Sequence, residues 1–277
     1  MFDKSKCIKS NNKNTCFDEK SLKFIADILH KTGNKINYDK PLYSQINKIL
    51  KKTGGCKNEK CWLTMDSLID NLSEKQLLHL KSNFKPPMPE TWKNDHDKWL
   101  NTVDIESVLN RYMLQEPSFY SYGAVPIDSF DENICINDLC KFDLKKHISK
   151  GHSKIGLIYN TDKFGESGQH WISLYIDINK SNYKNPCIYF FDSYGTKPPK
   201  NVNEFAKYVI DQGSTNNINF KYTYNDKQHQ TKGGECGVYC LHFLTYMKNG
   251  GNFDNYIKNK RDDEYMNKFR KYFYDPL

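Results

Sequence analysis

Residues 171–178 read Trp-Ile-Ser-Leu-Tyr-Ile-Asp-Ile. The period is two, with Ile172, Leu174, Ile176 and Ile178 on one side and Trp171, Ser173, Tyr175 and Asp177 on the other, the signature of a β-strand. After a turn at Asn179–Pro186, the apolar run Cys187–Phe191 suits a buried central strand. Joining the two as an antiparallel hairpin, with Ile178 near Cys187, constrains whatever lies at its open end. His170 precedes the first strand and Asp192 follows the second. The hairpin therefore returns a carboxylate to within a few residues of an imidazole.

The surrounding pattern is mixed. Short strands are expected at Ala124–Ile127, Ile155–Tyr159 and Phe220–Tyr224. Asn101-Thr102-Val103-Asp104 offers a helix N-cap with an acid in the first turn, followed by Ile105, Val108, Leu109 and Tyr112 on one stripe. Further helices are expected over Asn201–Gln212, Val238–Met247 and Asp263–Phe273. Before residue 86 the chain reads as purely helical. Leu22, Phe24, Ile25, Ile28 and Leu29 recur at helical spacing, as do Ile46, Ile49 and Leu50, and Ser73-Glu74-Lys75-Gln76 has the form of a capping box. Pro86-Pro87-Met88-Pro89 interrupts this pattern. The expectation is an α+β protein: a helical N-terminal arm domain over 1–88, and a core over 89–277 with a small mixed sheet flanked by helices.

The segment Gln230-Thr231-Lys232-Gly233-Gly234-Glu235-Cys236-Gly237 supplies the third element of a site. Cys236 would open the helix that follows, where the positive helix terminus favours a thiolate, and His170 nearby would act as base with Asp192 orienting it. Gly233, Gly234 and Gly237 leave room for backbone N–H groups to approach a substrate, and Gln230 can donate its amide to an oxyanion. Trp171, next to the base, can wall a narrow channel. Taken singly, each residue has a plainer use: a strand-capping His, a turn-forming Asp, a core Cys, as Cys240 is read. It is their order, at element edges that converge, that points to nucleophilic catalysis.

These residues resemble the Ulp1/adenain group of cysteine proteases, and by the Gly55-Cys56 and Cys61 region, His229-Gln230 and Asp263–Arg270 the chain is similar to the polyprotein-processing branch found in African swine fever virus. The resemblance implies a papain-like/adenain-like cysteine protease core and cleavage after Gly-Gly. It implies that Trp99, in Trp99-Leu100-Asn101, and Trp171 sandwich the diglycine, with Gly234 beside it. It also implies processing of viral structural polyproteins, in the cytoplasmic virus factory of the host and in the virion. Thr102 stands where the group usually has an acid that contacts SUMO, and Asp192 where the swine fever branch carries an amide. The same chemistry on a ubiquitin-like modifier, and acetyl transfer within the clan, are alternative readings.

Composition narrows the partners. No run of eighteen apolar residues exists, so no membrane span is expected, and residues 1–7 lack the apolar stretch of a signal peptide. The net charge of +8 invites a nucleic-acid partner. Arginine occurs only at Arg111, Arg261 and Arg270, however, and the lysines read as a solvated surface. Nine cysteines, an odd number, fit a reducing compartment better than a disulfide scaffold. The Cys7, Cys16, Cys56 and Cys61 spacings match zinc fingers poorly, so these cysteines are expected to be unligated and neither metal nor cofactor is expected.

Overall fold

The computed structural model describes residues 15–95, 97–179 and 185–275. Cys7 and most of the 179–186 turn lie outside them. The chain divides into two compact units, one of residues 1–87 with 271–277 and the other of residues 88–270.

In the first unit, Asp18 caps α1 (Glu19–Lys31) by accepting from Ser21 N at 2.8 Å. Leu22, Ile25, Ala26 and Leu29 of α1 and Ile46 and Leu50 of α2 (Leu42–Gly54) are buried together. Full burial of such a side chain contributes roughly 1.5–3 kcal/mol. Two single turns, α3 (Glu59–Trp62) and α4 (Asp66–Ile69), and the Ser73-capped α5 (Glu74–Lys81) close over Trp62. Phe17 stacks on Trp62 at 5.8 Å and meets Phe84 edge-on at 5.4 Å. Cys56 and Cys61 are disulfide-bonded across a Cα separation of 5.4 Å. Residues 271–277, placed with the core in the sequence-based division, join this unit. Asp275 pairs with Lys60, its N–H donates to Pro86 O at 2.8 Å, and Lys85 Nζ donates to Lys271 O at 3.0 Å.

The second unit is built on a five-stranded sheet in the order β1-β2-β3-β4-β5. The helix α6 (Thr102–Gln115) carries the full capping box: Asp104 N donates to Asn101 Oδ1 at 2.9 Å and Asn101 N to Asp104 Oδ2 at 3.0 Å. It leads into β1 (Phe119–Pro126), longer than the expected strand, which pairs in parallel with β2 (Lys154–Asn160) after α7 (Leu144–Ser149). The register slips between Ser121 and Ala124 at Gly123, whose φ is +80°. A Cβ there would meet Glu106 Oε1 at 2.8 Å and Asn137 Nδ2 at 2.9 Å, so only glycine fits. Strands β3 (Trp171–Asp177) and β4 (Cys187–Phe191) form the expected antiparallel hairpin, with Asp177 opposite Cys187 and Ser173 opposite Phe191. β2 is antiparallel to β3, and β5 (Lys221–Tyr224) parallel to β4.

Strand β3 is buried on both faces, although its alternation would suit a half-exposed strand. Ile172, Leu174 and Ile176 share a core with Val202, Phe205, Ala206 and Val209 of α8 (Lys200–Thr215). The opposite face is covered by α9 (Cys236–Lys248): small Ser173 lets Cys240 approach and bond to its hydroxyl, and Phe243 stacks on Phe191 at 4.9 Å. The helices α10 (Phe253–Lys258) and α11 (Asp263–Phe273) follow.

The cysteine expectation needs correcting. Besides Cys56–Cys61, Cys135 and Cys140 are paired, at a Cα separation of 5.1 Å. An odd total hid two local pairs, each joining cysteines five positions apart, and Cys16 is disulfide-bonded as well. Among the described residues the free cysteines are Cys187, Cys236 and Cys240, and no group of three or more His, Cys, Asp or Glu side chains is arranged to hold a metal. No described helix is long and apolar enough to cross a membrane.

Candidate active site

The hairpin sets the site. With Ser173 opposite Phe191, the open end carries His170 on one strand and Asp192 on the other, and His170 Nε2 lies 2.7 Å from Asp192 Oδ1. Tyr194, stacked on His170 with ring centroids 4.7 Å apart, covers the imidazole. Asp192 Oδ1 also accepts from Tyr194 N at 2.9 Å, and Thr196 adds a side-chain bond.

Cys236 is the first residue of α9 and hydrogen-bonds to His170. Since Nε2 belongs to Asp192, the thiol meets Nδ1. Burial works against a charged imidazole, but the bonds to, and charges of, Asp192 and Cys236 outweigh it and lift His170 to about 9. Burial likewise opposes the Asp192 carboxylate, yet His170 and the Tyr194 N–H hold it below the usual range. Such a set can keep its imidazolium through neutral pH within hydrogen-bond reach of the Cys236 sulfur. Cys240, one turn on, is different: burial pushes its thiol well up, and it is a core residue as expected.

Gln230 is fully buried, with its amide orientation fixed on both sides. Its Oε1 accepts from Ser193 Oγ at 2.6 Å, and its Nε2 donates to Lys232 O at 2.6 Å. An amide nitrogen carries two hydrogens, so one N–H remains beyond the bond to Lys232 O. The N–H of Cys236 lies in the first turn of α9, where backbone N–H groups have no partner within the helix.

Trp99 and Trp171 line one cavity of about 310 Å³, together with Leu100, Thr102, Val125 and Gly168 among others. Trp171 Nε1 donates to Leu100 O at 2.9 Å, while Trp99 is about half exposed. Cys236 and His170 are not among the lining residues. Trp171 adjoins His170 in the chain, and Leu100 packs where a Cβ on Gly237 would meet it at 3.0 Å, which ties the cavity to the thiol. Gly234 does not line the cavity. It adopts φ +103°, and a Cβ there would come within 2.4 Å of Asp97 O. Its constraint is therefore the backbone path into Cys236.

Five supporting residues were given no role from the sequence. Asn225 clamps the acid's backbone, accepting from Asp192 N at 2.9 Å and donating to Asp192 O at 2.8 Å. Asp263 Oδ2 accepts from Thr231 N, Thr231 Oγ1 and Lys232 N at 2.7–3.0 Å, anchoring the Gln230 loop. Glu235, which precedes the thiol, is held by Arg270 through Nε at 2.9 Å and by Asn267 Nδ2 at 2.9 Å. The scarcity of arginine was a legible signal for Arg270. For Asn225 and Asp263 no local pattern exists, because their bonds join distant segments.

An α+β core with a buried thiol at a helix terminus, bonded to a His–Asp pair at a hairpin's open end, defines a thiol protease. Residues 153–276 match the C-terminal catalytic domain of the Ulp1 protease family. A protein of Acanthamoeba polyphaga mimivirus, named as a thiol protease, is 32% identical over 181 residues; the alignment covers 64% of this chain and 57% of that protein. A cysteine protease of African swine fever virus (isolate Tick/Malawi/Lil 20-1/1983) is 23% identical over 277 residues, covering 95% of this chain and 92% of that one. A crystal structure of the African swine fever virus protease superposes with a TM-score of 0.68 at 22% identity, over all of this chain and 98% of that one, and shares its fold.

Proposed function

We propose that the chain is an endopeptidase that cuts protein substrates after Gly-Gly through an acyl-enzyme on Cys236, and that it processes viral structural polyproteins during virion maturation in the host cytoplasm and the virion. The observation that carries this is the bonded Cys236–His170–Asp192 set next to the cavity walled by Trp99 and Trp171. Residues without side chains are the ones that a narrow passage beside two indoles would select. His170 Nδ1 takes the thiol proton, and the sulfur attacks the carbonyl carbon of the second glycine. The oxyanion is met by the second N–H of Gln230 and by the Cys236 N–H. The imidazolium then returns its proton to the leaving amine, and a water activated by His170 releases the acid.

A second reading, deconjugation of a ubiquitin-like modifier, is favoured by the name of a relative in another African swine fever virus isolate, a SUMO-1 cysteine protease 22% identical over 95% of this chain. Thr102 speaks against it: the residue lining the cavity there is uncharged, so it offers no carboxylate to a basic face. Offering a Gly-Gly-X peptide and a SUMO C-terminal fusion side by side separates the two. The peptide should be turned over at least as well as the fusion; exclusive turnover of the fusion would reverse the ranking.

A further inference from the structure

The net charge is not spread over the chain. Residues 88–277 hold 24 basic and 24 acidic side chains, so the catalytic part is balanced. Residues 1–87 hold 17 lysines against nine acids. Within the described part of this stretch, residues 15–39 and 59–87 each carry four lysines and four acids. Everything in excess there lies in residues 40–58, where Lys40, Lys48, Lys51, Lys52 and Lys57 occur without a single Asp or Glu. Residues 144–161 are also free of acids and hold four lysines, but acids elsewhere in the catalytic part offset them, whereas within the described residues 15–87 nothing offsets the five lysines of 40–58.

The helix α2 gives this charge a face. Ile46 and Leu50 point into the unit's core, while Lys48, Lys51 and Lys52 are exposed. At 100° per residue the three lysines fall within an arc of about 100°, over roughly 6 Å of axis. Gly55, in the left-handed conformation at φ +66°, ends the helix, and exposed Lys57 follows. None of these four lysines takes part in the ion pairs among the described residues. Lysines in a last turn complement the helix dipole, which accounts for Lys51 and Lys52. It does not account for Lys48 and Lys57, and like charges three and four residues apart repel.

We propose that this α2 face is a docking surface for the phosphate backbone of nucleic acid, read without regard to sequence. Lysines are point charges, and arginine, the side chain that pairs bidentately with bases, is absent from residues 1–87. An anionic membrane would also attract the charge, but a helix that lies on a membrane buries an apolar face in it. The apolar face of α2 is already inside its own unit. The proposal is independent of the peptidase reading. Its consequence is that a protease with a neutral catalytic part is concentrated on nucleoprotein.

The test is fluorescence anisotropy of a labelled random-sequence DNA duplex titrated with the full chain between 50 and 200 mM salt. With four phosphate contacts the slope of log K against log salt should be about −3.6, a loss of roughly 100-fold across that range. The variant Lys48→Gln/Lys51→Gln/Lys52→Gln should bring the slope to about −1. Its thermal melt and its turnover of a Gly-Gly-X peptide without nucleic acid should be unchanged, since the three side chains are exposed and lie in the unit remote in sequence from Cys236. A triple variant with the wild-type slope overturns the proposal. So does wild-type protein that ignores the duplex but sediments with phosphatidylserine–phosphatidylcholine vesicles.

Discussion

Replacing Arg270 by Met tests whether the nucleophile is held in place by a buried ion pair. Arg270 and Glu235 are both nearly inaccessible, with side chains 4% and 3% exposed. Arg270 donates from Nε and Nη2 to the Glu235 carboxylate at 2.9–3.1 Å, from Nη2 to Gly234 O at 3.2 Å, and from Nη1 to Lys98 O at 2.7 Å; its guanidinium lies 4.4 Å from the Trp92 ring centre. Burial already pushes Glu235 up despite the bonds from Arg270 and Asn267, so the carboxylate is poorly placed to lose its partner. Removing one member of such a pair costs about 3–5 kcal/mol. In a unit of this size that is a fall in melting temperature of roughly 10–15 °C by calorimetry. Because Arg270 also grips the carbonyl before Glu235, kcat should fall in Arg270→Met at temperatures where the protein is still folded. The double variant Glu235→Gln/Arg270→Met removes the stranded charge and should recover at least half of the lost stability without restoring kcat. A single variant that melts within about 2 °C of wild type, or a double variant no more stable than the single, would refute the reasoning.

Three further outcomes are expected. Gln230→Ala should lower kcat by about 10²–10³, the usual loss for one oxyanion donor, as measured by steady-state peptide hydrolysis; a loss below tenfold would remove Gln230 from that role. His170 is raised to about 9, so activity that depends on its protonated form should be retained through neutral pH and lost as pH rises through about 9. In Asp192→Asn, which removes the charge that raises it, this alkaline limb of kcat/KM should move to lower pH, and an unmoved limb would contradict the pairing. His147 is held down at about 4, first by burial and then by the charges of His152 and Lys150, with Nε2 on Tyr122 OH at 2.8 Å and Nδ1 on His152 at 3.0 Å. Its folded value lies below its unfolded one, so its contribution is intact above about pH 6.5 and is lost as pH falls toward 4. The loss is at most roughly 3 kcal/mol. Urea midpoints at pH 7 and 4.5 should therefore diverge less in His147→Gln than in wild type.

Much of this fold was legible because its elements carry local signals. The β3 alternation, the capping box at Ser73, the N-cap at Asn101 and the apolar run of β4 each follow from a few adjacent residues, and the hairpin of β3 and β4 brings His170 to Asp192. The burial of both faces of β3 was not legible, since a serine, a tyrosine and an aspartate on one face look polar until α9 covers them. The pairings Cys56–Cys61 and Cys135–Cys140 were misread through an odd total that said nothing of local spacing. Asn225, Asp263 and the Glu235–Arg270 pair act across 33, 32 and 35 residues of sequence, and such bonds leave no periodic trace. The charge was counted correctly but as a whole, and a total conceals where the excess sits.

The central claim is that Cys236 is the thiol that forms an acyl-enzyme with a diglycine substrate. Incubating the protein with a peptide ending in a Gly-Gly vinyl sulfone, followed by intact-mass and peptide mapping, tests it directly. One adduct per chain, located on Cys236, absent in His170→Ala and formed far more slowly by the Ala-Ala analogue, is the expected result. An adduct on Cys187 or Cys240, or equal reaction with the Ala-Ala analogue, would contradict it.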